Sequence, residues 1–107
     1  MAKRKSVKPI SKRDLALSTF DPAEYLNDEP VIAEYLALAA RDPNPDRFIE
    51  ALGNVARAKG MSAIAEKAGV SRESLYKSLA PGAAPRFETV RKLLDAVGMK
   101  LDIVAPA

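Results

Sequence analysis

Apolar side chains recur at helical spacing along most of this chain, and the stretches that carry them are bracketed by residues that start and stop helices. The exception comes first. Residues 1–20 show no apolar periodicity and are rich in Lys, Ser and Arg, which reads as a flexible basic arm. From Asp21 the signals are dense. Asp21, Pro22 and Glu24 offer an N-cap, a proline at the first helical position and an acid placed to reach back as in a capping box, predicting a short helix over about 22–27. A second helix is expected from Pro30, capped by Asp28 or Glu29, to about Arg41, with Ile32, Tyr35, Leu36 and Ala39 on one face and Pro43 as its stop.

Asn44 and Pro45 open a third helix by the same cap-then-proline logic. Its buried stripe is Phe48, Leu52 and Val55, with Ile49 and Ala56 beside it, and Gly60 ends it. Two short helices follow, about 62–68 and 72–79, then a loop over 81–85. The last helix, about 87–97, sets Phe87, Val90, Leu94 and Val97 at 3-4-3 spacing before Gly98. Beyond it Met99, Leu101 and Ile103 alternate with Lys100 and Asp102, the period of a strand over 99–104. The expected fold is all-α: five or six helices forming one domain over 21–107 behind the arm, with one short C-terminal strand. Tyr25, Tyr35, Phe48 and Phe87 are read as core.

The stretch MSAIAEKAGVSRESLYKSL over 61–79 holds the most information. Two short helices that cross steeply need a small residue where they touch, supplied by Ala65. The tight turn between them needs a residue that tolerates positive φ, supplied four positions on by Gly69. Val70 then fills the apolar gap under the turn, and Ser71 caps the second helix. Ile64, Ala65, Ala68, Val70 and Leu75 sit where such a motif buries side chains.

Composition narrows the chemistry. With no cysteine and no histidine, the chain lacks thiol nucleophiles, the usual zinc ligands and the commonest general base. No phosphate-binding loop or serine-nucleophile motif is present, so an enzyme is not expected, nor a metal or cofactor. The apolar runs are too short to cross a bilayer, and the basic start is not followed by the apolar run of a secretory signal, so a cytoplasmic protein is expected. The net charge of +3 conceals a division. Lys3, Arg4, Lys5, Lys8, Lys12 and Arg13 make the arm basic. Eight acids against Arg41 and Arg47 make 15–56 acidic, and 57–107 is basic again. Two surfaces with different partners, or faces that merely differ in sign, both fit that division.

The small residue, Gly, Val, Ser pattern over 65–71 resembles the helix-turn-helix of the Xre/Cro-like repressors, with the motif over about 61–80. One departure is Ser78, where an apolar residue is usual, leaving Leu79 to take over the packing. The resemblance implies that the helix from Arg72 enters a major groove. Its candidate DNA contacts are Ser71, Arg72, Glu73, Ser74, Tyr76 and Lys77, with Ser62 on the preceding helix. Arg72 is placed to read guanine, Glu73 to accept from cytosine or to orient Arg72, and Lys77 and Ser71 to hold phosphate. A helical hairpin whose charged residues face water is the plainer alternative.

The likeness extends further. FDPAEYL at 20–26, IAEYL at 32–36, FIEALGNVARAKGMS at 48–62, SRESLYK at 71–77 and FETV at 87–90 together resemble the addiction-module antidote proteins, a HigA-like branch of the Xre-type regulators. Members often carry Gly-Asn-Pro before the last helix, where this chain has Ala83, Ala84 and Pro85. The resemblance implies an antitoxin that binds double-stranded operator DNA, acts as a homodimer, represses its own operon and neutralises a small basic RelE/ParE-like toxin. Candidate toxin contacts on the acidic half are Glu24, Asp28, Glu34 and Asp46. A stand-alone or phage-type repressor without a toxin is the alternative.

Overall fold

In the computed structural model of the protein, residues 28–106 are described. They form five helices: α1 (Glu29–Ala40), α2 (Pro45–Lys59), α3 (Met61–Ala68), α4 (Arg72–Ser78) and α5 (Phe87–Ala96). The expected arm, the helix over 22–27 and Glu24 lie outside the described residues.

The starts of α1 and α2 follow local chemistry. Asp28 flanks α1, with Pro30 in the first turn, where a missing N–H costs nothing. At α2 the Asn44 side-chain oxygen accepts the Asp46 N–H at 3.0 Å, while Asp42 Oδ1 accepts the Asn44 N–H at 2.8 Å. One free donor of the helix end is thereby satisfied, and the acid of the first turn faces the positive pole of the helix dipole.

The core gathers one face from every helix. Ile32 and Leu36 come from α1, Leu52 and Val55 from α2, Ile64 and Ala65 from α3, Leu75 from α4, and Leu93 and Leu94 from α5. Among the described residues, no polar or charged one is buried. Helix α3 is central: it packs against α2, α4 and α5, while α1 packs on α2. At eight residues α3 is too short to be stable alone, and its place is maintained by burial of Met61, Ile64 and Ala65. Leu79 is buried while Ser78 is only partly so, and the packing passes to the leucine as the sequence suggests.

Two expectations are corrected. The strand over 99–104 is not formed: residues 99–106 lie outside any regular element, because a strand is completed by a neighbouring strand and the described residues contain none. Phe87 is not core. It is 62% exposed, since it sits in the first turn of α5, where the helix has not yet met its neighbours. Tyr35 and Phe48 are partly buried against the core.

The loop over 81–85 holds one unusual backbone. Ala84 has φ 50°, the only positive value outside glycine among the described residues. It occupies the place where the resembled family often carries asparagine, a residue that tolerates this region better than alanine does.

Candidate nucleic-acid interface

The turn between α3 and α4 is built by backbone hydrogen bonds that the sequence permits at one residue. Gly69 adopts φ 73°, ψ 31°, the left-handed region. This conformation brings the Val70 N–H onto the Ala65 carbonyl at 3.0 Å and the Gly69 N–H onto the Glu66 carbonyl at 3.2 Å. These are the paired bonds of a Schellman cap, in which the residue after the glycine also packs toward the last turn of the helix. Val70 does so, partly buried against the core.

Ser71 then begins α4. Its hydroxyl oxygen accepts the Ser74 N–H at 3.0 Å and lies 3.0 Å from the Ser74 hydroxyl, so both serines are engaged at the helix start. Only Leu75 of this seven-residue helix is buried, and it anchors α4 to the core. Arg72, Glu73, Ser74, Tyr76 and Lys77 are all exposed. The sequence-predicted contacts thus share one outward surface. Ser62, in the first turn of α3, is exposed as well.

The arginine is not loose on that surface. Its guanidinium carbon lies 5.8 Å from the centre of the Tyr76 ring, and Nη2 is 3.4 Å from the tyrosine oxygen. Stacking along an aromatic face one helical turn away limits the directions in which the guanidinium points while leaving most of its donors free. Glu73 does not take this part, and neither it nor Lys77 belongs to an ion pair among the described residues. A planar fork of free donors, a free ammonium group and two serine hydroxyls on one projecting helix make a surface suited to phosphate oxygens and base edges. No group of His, Cys, Asp or Glu among the described residues is arranged to hold a metal ion, and no helix there is long and apolar enough to cross a membrane.

The acidic candidates are dispersed. Glu34 is exposed in the middle of α1, Asp46 is exposed in the first turn of α2, and Asp28 is half-buried at the start of α1. Between these helices runs a polar string that the sequence pattern does not single out. Asn54 Nδ2 donates to the Tyr35 oxygen at 2.7 Å, and Arg57 Nη2 donates to Asn54 Oδ1, also at 2.7 Å. The i, i+3 spacing of Asn54 and Arg57 is visible in the sequence, but the pairing with Tyr35 needs α1 laid on α2.

Comparison with known proteins places the chain. A protein from Haemophilus influenzae (strain KW20 / Rd), called only an uncharacterized protein, is 41% identical over 87 residues, covering 81% of this chain and 90% of that one. No solved structure matches. The family model described as "Probable addiction module antidote protein" matches residues 16–105, which include all five helices. The chain belongs to this family of addiction module antidote proteins.

Proposed function

We propose that the protein is the antitoxin of a type II toxin–antitoxin module, a cytoplasmic, non-enzymatic regulator that binds operator DNA as a dimer and represses its own operon. In this reading α3, the Gly69 turn and α4 are an Xre/Cro-type helix-turn-helix. The observation that carries it is the division of α4 between one buried anchor, Leu75, and an outer surface bearing Arg72, Ser74, Tyr76 and Lys77, in a chain of the antidote family. Ser71 and the N-terminus of α4 attract a phosphate, Lys77 takes another, and Arg72, steered by Tyr76, reads a base edge.

Membership of an antidote family supports a toxin partner over the stand-alone repressor, because an antidote neutralises something. The partner is proposed to be a small basic RelE/ParE-like protein, held by direct contact with acids such as Glu34 and Asp46. The charge division of the chain is consistent with this, the 15–56 segment being acidic and the 57–107 segment basic.

The test has two arms. In the first, the protein is titrated against DNA from upstream of its own gene and against unrelated duplex of equal length. A clear preference for the upstream DNA is expected, and equal salt-sensitive binding to both would remove the operator reading. In the second, the product of the adjacent gene is produced with and without the protein. Growth rescue and co-purification are expected; rescue without a complex would remove direct neutralisation.

A further inference from the structure

The C-terminal segment carries an unused edge. After α5 the chain turns at Gly98, with the Met99 N–H on the Leu94 carbonyl at 2.8 Å and the Gly98 N–H on the Asp95 carbonyl at 3.0 Å. Among the described residues, no backbone group from 100 to 106 engages in a backbone–backbone hydrogen bond; the Ile103 N–H meets the Asp102 side chain beside it. Apolar side chains stand open on this segment, Leu101 at 49% and Ile103 at 85% exposure. Met99 and Leu101 line a groove with Phe87 and Leu94 of α5, and charged side chains of the same helix, among them Glu88, Arg91 and Lys92, border it together with Lys100. A strand-like alternation, unpaired backbone and an apolar face beside a helix are the conditions under which a second strand adds.

We propose that the occupant is a second copy of this chain, its 99–103 segment pairing antiparallel with the first about a two-fold axis at Leu101. The register follows from charge. Residues directly opposite in an antiparallel pair share a face. An axis at residue 101 sets Lys100 against the partner's Asp102 and Asp102 against the partner's Lys100. It also sets Leu101 against the partner's Leu101, and Met99 against the partner's Ile103. An axis at 102 opposes two aspartates, and an axis at 100 opposes two lysines. An axis between residues sets apolar side chains against charged ones. Of these registers only the one at Leu101 is complementary on both faces. A two-stranded ribbon is marginal alone but gains a covering when one face rests on a helix, the role assigned to α5 and its exposed Phe87. The pairing deepens the dimeric antitoxin reading by naming where two copies meet, yet it involves no DNA.

Sedimentation and light scattering of the full chain over a concentration series are expected to show a dimer. Lys100→Asp or Asp102→Lys alone creates two like-charge oppositions related by the axis and is expected to weaken the dimer about tenfold. The double exchange, Lys100→Asp with Asp102→Lys, restores opposite charges across the axis and is expected to return affinity to near that of the original. Since the chain has no cysteine, Leu101→Cys places one thiol per copy at the axis, within disulfide reach. Ile103→Cys separates the two thiols by four strand positions, about 13 Å, out of reach. Mild oxidation should therefore cross-link the first variant and not the second. A monomer at every concentration, a double exchange as weak as either single, or equal cross-linking of both cysteines would each overturn the pairing. If the dimer and its rescue hold while upstream DNA is not preferred, the pairing stands and the operator reading falls.

Discussion

Arg72 lies against the ring of Tyr76, its guanidinium carbon 5.8 Å from the ring centre and one nitrogen 3.4 Å from the tyrosine oxygen. The pair sits at i, i+4 on the exposed side of α4, so it contributes little to folding and much to where a cation points. That relationship separates two ways in which operator binding is expected to be lost.

Replacing Arg72 by Ala removes the guanidinium fork proposed to read a base edge. The expected cost is about 1–3 kcal/mol of operator affinity, with relaxed preference at one base pair. Binding measured on a set of single-base operator variants checks this; an equal loss on every duplex would reassign Arg72 to phosphate. Tyr76→Ala leaves the charge in place but frees its direction. It should cost less, about 0.5–1 kcal/mol, and weaken discrimination at that same base pair.

Leu75 is the anchor of α4, 1% exposed. Leu75→Ala is expected to destabilise the fold by about 2–5 kcal/mol through lost burial and a cavity, read as a lowered thermal midpoint. Ser71→Ala removes the cap alone and should cost about 1 kcal/mol. If Ser71→Ala were as severe as Leu75→Ala, α4 would be held by its end rather than by its buried face.

Gly53 lies within α2, buried, where the nearest atoms an added Cβ meets belong to the Arg57 guanidinium, at 3.3 and 3.4 Å from its two terminal nitrogens. These atoms end a flexible and exposed side chain, so the arginine can move aside. Gly53→Ala is therefore expected to stabilise the protein by about 0.5–1 kcal/mol, the helix-propensity difference, at the expense of the Arg57–Asn54 hydrogen bond. A lower melting temperature would mean that the polar string from Tyr35 to Arg57 outweighs the backbone gain.

Ala84 holds φ 50° with a side chain that disfavours it. Ala84→Gly relieves the steric cost, and Ala84→Asn lessens it with a smaller penalty in the unfolded chain. Each is expected to raise stability by up to about 1 kcal/mol, the asparagine at least as much as the glycine. Parallel urea unfolding of the two variants and the original checks the order.

The five described helices and the turn at Gly69 can be read from the order of residues alone. Caps at Asn44 and Ser71, prolines at Pro30 and Pro45 and the glycines at Gly60, Gly69 and Gly98 act within a few residues of themselves, so their consequences are legible without knowing what packs on what. The outward surface of α4 was legible for the same reason, since one buried position, Leu75, leaves the rest of a short helix outside. Features that depend on residues far apart in the chain become visible only once the helices are packed together. Periodicity assigned Phe87 to the core, but burial needs a neighbour, and the first turn of α5 has not reached one. Alternation assigned a strand to 99–104, but its hydrogen bonds require a second edge that the described residues of one copy do not provide. The link from Tyr35 to Asn54 likewise exists only once α1 lies on α2, because two side chains 19 positions apart meet through packing and not through local geometry.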